Sequence, residues 1–109
     1  MGILEKFVSM VAGSPAEELP EEATLIDVRS PAEYAAGHVE GAVLLPLQAI
    51  AQGIGKVAQD KAAPIVVYCQ SGARSASARQ QLLGMGYGNV INGGGVHAVA
   101  SRLKRDIVR

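Results

Sequence analysis

The chain predicts an α/β fold, three-layer α/β/α with a mainly parallel central sheet. Two observations carry this expectation. Short runs rich in Val, Ile and Leu recur at Thr24-Leu25-Ile26-Asp27-Val28, Val43-Leu44-Leu45, Ile65-Val66-Val67-Tyr68 and Val90-Ile91, and stretches with helical spacing or helix-start signals lie between them, with Gly and Pro at the junctions. Strands alternating with helices imply parallel pairing through right-handed crossovers, which leaves a helix layer on each face of the sheet. The 109 residues fit one domain, and a composition that is 49% hydrophobic and 4% aromatic calls for a core of Val, Ile, Leu and Ala.

Each element has a local reason. Ile3, Leu4, Phe7, Val8 and Val11 recur at helical spacing, which predicts an amphipathic helix ending near Gly13 within an N-terminal segment 1–19. Lys6 is the one base on its polar face, so packing on the domain or on a second copy is expected rather than membrane binding. Ser14-Pro15-Ala16-Glu17 and Ser30-Pro31-Ala32-Glu33 each combine an N-cap, a proline at the first helical position and a capping-box glutamate. Gly37 is placed to cap the second of these helices. Pro46 stops the Val43 strand, and residues 47–60 read as a helix loosened by Gly53 and Gly55. The Ile65 strand leads into a helix from about Arg74 to Leu83, followed by breakers at Gly84, Gly86 and Gly88. Val90-Ile91 is the last expected strand, and Gly93-Gly94-Gly95 turns the chain into a final helix with Val96, Val99, Ala100 and Leu103 on one face.

Ten basic and ten acidic residues give zero net charge, which removes the electrostatic footprint of a nucleic-acid binder. Residues 1–40 carry eight acids and two bases, whereas residues 69–109 carry six bases against Asp106. The basic end favours a small anion, although residues 104–109 are expected to be a solvated, frayed helix end. One cysteine excludes an internal disulfide, and no Cys/His spacing matches a zinc site, so neither metal nor cofactor is expected. The N-terminus lacks a basic n-region and its apolar residues are broken by Glu5 and Lys6, so no signal peptide or membrane span is expected. The cytoplasm is the expected location.

Cys69 ends the strand Ile65-Val66-Val67-Tyr68 and opens the small polar stretch Gln70-Ser71-Gly72-Ala73-Arg74-Ser75. Ligands of parallel sheets bind beyond the carboxyl ends of the strands, where this thiol falls. Backbone N–H groups of a tight loop and a helix N-terminus converge there on an anion, and with Arg74 nearby they favour the thiolate. Gly72 supplies the freedom in φ that a curled loop needs. Ser75 and Ser77 read either as helix caps or as added hydroxyl donors, Ser75 the better placed of the two, and Gln70 has no derivable role.

The run Cys-Gln-Ser-Gly-Ala-Arg-Ser at 69–75 resembles the active loop of single-domain rhodaneses, the thiosulfate sulfurtransferases. Asp27-Val28-Arg29, Glu33-Tyr34, Gly37-His38-Val39-Glu40-Gly41-Ala42 and Asn92-Gly93-Gly94-Gly95 are similar to further motifs of that family, in its order, over about residues 20–100. The resemblance implies a double displacement. The Cys69 thiolate takes the outer sulfur of a donor such as thiosulfate, and a cyanide, thiol or protein thiolate then removes it. It also implies that the N–H groups of residues 70–75, with Arg74, hold the persulfide and the donor oxyanion, and that Asp27 and Arg29 are structural; His38 reads as a structural hydrogen-bonding residue, because an ionised thiol needs no base. The thiol is expected to be exposed on its loop and to add little to packing. Many relatives place a tryptophan at the start of the final helix; this chain has none and offers His97 nearby.

Three alternatives stand beside this reading. A Cys-Arg loop phosphatase is disfavoured because its loop is one residue longer and needs an acid this loop lacks. A non-catalytic binding module commonly loses the cysteine that is retained here. A carrier that hands its sulfur to a specific partner differs in its acceptor, not its chemistry.

Overall fold

The computed structural model describes residues 18–109. The expected N-terminal amphipathic helix and the Ser14-Pro15-Ala16-Glu17 helix start lie outside the described residues. The elements are β1 (Thr24–Asp27), α1 (Pro31–Ala36), β2 (His38–Val39), β3 (Val43–Leu44), a 3₁₀ turn (Leu47–Ala49) running into α2 (Ile50–Val57), β4 (Ile65–Cys69), α3 (Ala73–Gly84), β5 (Val90–Gly95), α4 (Val96–Leu103) and β6 (Ile107–Val108). Four strands form a parallel sheet in the order β3-β1-β4-β5, while β2 and β6 make a separate antiparallel ribbon.

β4 is buried along its whole length, as a central parallel strand with both faces covered must be. Alternation divides its side chains between two cores. Ile65, Val67 and Cys69 join Ile26, Ile50, Ile54, Ala78 and Leu82 beneath α2 and α3, whereas Val66 and Tyr68 join Leu25, Val39, Val96, Val99 and Leu103 beneath α4. The predicted face of α4 is the one it buries. Each large aliphatic side chain so removed from water contributes ~1.5–3 kcal/mol.

The Ser30 capping box forms as its sequence dictates, with Glu33 N–H donating to Ser30 Oγ at 3.2 Å and Ser30 N–H to Glu33 Oε1 at 3.1 Å. Gly37 caps α1 in an extended conformation, its N–H donating to the Glu33 and Tyr34 carbonyls. α2 runs through both glycines; a Cβ on Gly53 would sit 2.5 Å from Leu45 Cδ1, so the glycine admits close packing rather than loosening the helix.

Three expectations are corrected. Val90-Ile91 continues through the triglycine to Gly95, and it is not the last strand. Residues 104–109 are not a frayed helix end: Lys104 is left-handed at φ 55° and ends α4, after which Ile107 and Val108 pair with Val39 and His38. Neither Ser75 nor Ser77 caps α3, whose N-cap is Gly72.

β5 carries one extra residue against β4, because Val67 pairs with Asn92 but Tyr68 pairs with Gly94. This bulge at Gly93 carries β5 close past the turn that follows Cys69. A Cβ on Gly95 would lie 2.6 Å from the Gln70 carbonyl oxygen. Backbone cannot yield as a side-chain tip can, so Gly95→Ala should lower Tm by at least roughly 5 °C. Gly55, whose Cβ would meet nothing within 4 Å, is the control: Gly55→Ala should hold or raise Tm. Equal melting of the two variants would contradict the close approach.

Candidate active site

The chain leaves β4 at Cys69 and curls through Gln70, Ser71 and Gly72 before α3 begins at Ala73. Gly72 sits at φ 103°, a left-handed conformation that favours glycine, and its Cα side lies against Gly94. The curl turns main-chain donors onto the sulfur: Gly72 N–H at 2.9 Å and Ser75 N–H at 3.4 Å, with Ser75 Oγ at 3.5 Å. Burial pushes the Cys69 thiol up, but the Ser75 hydroxyl and the N–H groups of Ser75, Gly72 and Ser71 together outweigh it, and the net shift is down. The shift toward the thiolate is the work of fixed main-chain and hydroxyl dipoles.

Cys69 is 1% exposed and belongs to the core beneath α2 and α3. The expectation of an exposed thiol is therefore corrected. The amides that stabilise the sulfur are the floor and walls of the loop, so a sulfur they reach is one that water reaches poorly. The rim is open: Gln70, Ser71 and Ala73 are exposed.

Arg74 is held by Glu33. Its Nη1 and Nη2 donate to Glu33 Oε1 and Oε2 at 2.8 and 2.9 Å, a bidentate pair that ties α3 to the capping box of α1. Its charge still acts on the site through space, since the Cys69 thiolate raises the Arg74 pKa, after the larger contribution of the Glu33 hydrogen bonds. Ser75 is fully buried. Its hydroxyl lies 2.7 Å from Asn92 Oδ1 and 3.1 Å from the Gly72 carbonyl.

The supporting residues meet at the carboxyl edge of the sheet. Asp27 and Arg29 form a buried pair, Nε and Nη2 reaching the carboxylate at 2.7–3.1 Å. Arg29 Nη2 also donates to the Gly37 carbonyl at 2.6 Å, and Nη1 to Gln70 Oε1 at 3.1 Å. Gln70, without a derivable role in the sequence, thus anchors the loop to Arg29. His38 bonds the Tyr34 carbonyl through Nδ1 at 2.8 Å and stacks on the Tyr34 ring at 3.6 Å. A groove of about 290 Å³ beside the loop is lined by Glu33, Gln70, Val96, His97, Ile107 and Arg109.

Sequence reasoning assigned Asn92 to a motif and gave it no task. Its signal was a lone amide at the end of an apolar strand directly before a glycine run. The Glu33–Arg74 pair had none, because its partners lie 41 residues apart.

Glu33 carries the clearest pH consequence. The Arg74 hydrogen bonds, then the Ser30 N–H, hold its carboxyl down to about 2 from 4.5. A pKa depressed on folding stabilises the fold above the unfolded value and ceases to do so as pH falls through the folded one. In urea melts Glu33→Gln should cost roughly 0.5–1 kcal/mol at neutral pH, discounted for a side chain about a third exposed, and the gap should close as pH falls from 4.5 toward 2. A gap independent of pH would contradict the pairing.

Comparison with known proteins gives a consistent result. The rhodanese-like domain family matches residues 14–101. Thiosulfate sulfurtransferase PspE of Escherichia coli is 40% identical over 75 residues, 69% of this chain and 72% of that protein. Thiosulfate sulfurtransferase GlpE of Pseudomonas entomophila is 42% identical over 76 residues, 68% of each chain. A solved structure of a rhodanese with anions from E. coli superposes with a TM-score of 0.69 at 38% identity, over 72% of this chain and 92% of that one.

Proposed function

The chain belongs to the rhodanese-like domain family, and from that premise we propose that it is a sulfurtransferase working through a persulfide on Cys69. The observation that supports this most directly is the sulfur itself, held by Gly72 N–H at 2.9 Å and Ser75 N–H at 3.4 Å on a loop that ends a parallel strand and starts a helix.

The Cys69 thiolate attacks the outer sulfur of thiosulfate. The S–S bond of the donor breaks, sulfite leaves with the bonding pair, and Cys69 carries a persulfide whose charge rests on the outer sulfur. An acceptor nucleophile then attacks that sulfur, and the Cys69 thiolate departs. With cyanide the product is thiocyanate; with a thiolate it is a new persulfide. No proton moves in either half, so a general base is not needed once the thiol is ionised, which fits a site with no histidine at the sulfur. The N–H groups of residues 70–75 supply fixed dipoles for both the thiolate and the loaded anion, a preorganised stabilisation that needs no rearrangement during the reaction.

Arg74 contributes its field over the rim while Glu33 fixes it in place, and the groove beside the loop offers the Arg109 charge and the His97 ring where a donor oxyanion or an acceptor approaches. A small donor and a small thiophile or protein thiol are the partners of this reading. A reducing compartment, the cytoplasm in the simplest case, keeps the lone thiol available.

Incubation with thiosulfate should add the mass of one sulfur to the protein, and cyanide should remove it with thiocyanate formed. Cys69→Ser should abolish both and, because the sulfur is buried, should cost about 1 kcal/mol of stability rather than nothing. Arg74→Ala should raise the KM for thiosulfate roughly ten-fold, since the Glu33 charge is then left unopposed at the rim. Adduct formation by Cys69→Ser, or aryl phosphate hydrolysis that depends on Cys69, would overturn the assignment.

A further inference from the structure

We propose that Asn92 is a positioning residue of the sulfur site, freeing the Ser75 hydroxyl to follow the negative charge on Cys69; the inference rests on the sulfurtransferase reading. Asn92 stands opposite Val67 in the sheet, on the face that carries Cys69 and α3. Both ends of its amide are engaged. Oδ1 accepts from Gly94 N–H at 3.0 Å and from the Ser75 hydroxyl at 2.7 Å, while Nδ2 donates to the Gly72 carbonyl at 3.2 Å. These partners fix which end is which, because Gly94 offers only a donor there and Gly72 only an acceptor.

The Ser75 hydroxyl has one proton and three acceptors in reach: Asn92 Oδ1, the Gly72 carbonyl at 3.1 Å and Cys69 Sγ at 3.5 Å. With a neutral thiol, S–H donates to Oγ and the hydroxyl proton goes to Asn92. With a thiolate the sulfur needs donors, and rotation of the hydroxyl toward it makes a charge-assisted bond. Oδ1 then keeps Gly94 N–H and the Gly72 carbonyl keeps Nδ2, so neither orientation leaves a buried polar atom unpaired. No proton changes owner. Once the sulfur is loaded, the charge moves to the outer atom and the hydroxyl returns to Asn92. The pair therefore favours the empty thiolate over the loaded state, which makes Cys69 both a better nucleophile population and a better leaving group.

Without the amide, the Gly72 carbonyl keeps only the Ala76 N–H at 3.0 Å, and its second lone pair captures the Ser75 proton, the nearer partner by 3.1 against 3.5 Å. The sulfur then loses the hydroxyl. The ionisable groups on the elements around it are the Asp27–Arg29 pair from the end of β1, Tyr68 on β4, Lys56 on α2, Arg79 on α3 bound to the Val90 carbonyl, and Glu33 from α1 paired with Arg74 from α3; β5 contributes none, and α4 carries His97, in the outer groove, and Arg102.

The test is the pH dependence of Cys69 alkylation by iodoacetamide, which reads thiol ionisation whether or not sulfur transfer occurs. Asn92→Ala should move the midpoint upward, with roughly ten-fold slower alkylation at a pH below both midpoints, and Ser75→Ala should do the same. The double variant should show no more than either single change, because one residue acts through the other. Cyanide should discharge the persulfide of each variant more slowly, by up to the same factor. An unchanged midpoint in Asn92→Ala, or additive effects in the double variant, would overturn the proposal. Should Asn92→Ala fail to fold, an unchanged midpoint in Ser75→Ala would overturn it alone. A failed persulfide assay with the alkylation pattern intact would remove the sulfurtransferase reading and leave the positioning role of Asn92.

Discussion

Everything at the carboxyl edge of the sheet hangs on one guanidinium. Arg29, 4% exposed beside a fully buried Asp27, joins the end of β1 to the α1–β2 turn through the Gly37 carbonyl and to the Cys69 loop through Gln70. A buried ion pair is a weak source of net stability, since desolvation consumes much of the Coulombic gain. Its value is geometric. A planar fork with donors in fixed directions admits one arrangement of strand end, turn and loop, and removal of either partner would leave a charge stranded in the core. The loop amides can hold a sulfur anion only because the chain around them is held in this way.

The same interactions explain what sequence could and could not reveal. Parallel strands such as Ile65–Cys69 are written as continuous apolar runs, and the Ser30 capping box is written within four residues, so both were legible. The Cys69 loop was legible because its glycine, serines and arginine are adjacent in the chain. The β2–β6 ribbon was not, because strands of two residues carry no periodicity and their pairing spans most of the chain. Nor was the depth of Cys69, since a small polar neighbourhood in sequence reads as surface while β4 and α3 fold over the sulfur. Arg74 lies in the first turn of α3 while its partner Glu33 belongs to another helix, and only tertiary structure joins them.

A buried yet ionisable thiol looks contradictory and is not. Removal from water disfavours the thiolate, and fixed N–H groups favour it without the cost of reorienting solvent. The balance tilts toward the anion because several donors converge from one short turn. Shelter from water also shields the sulfur from adventitious oxidants, whose attack follows thiolate exposure.

The glycines of β5 divide the bowl into two regions of unequal freedom. Beside the loop Gly95 lies against the Gln70 carbonyl, and on the other face of the sheet Gly93 lies against Val99 and Val66 of the core beneath α4, leaving no volume for added atoms. In front, Ser71, Ala73 and His97 face solvent and are bound by no such packing. Variation is therefore channelled: the rear wall must stay bare, and new reactivity toward other donors or acceptors has to be acquired at the lip. A scaffold of this kind can diversify its clientele while its anion-holding centre stays unchanged.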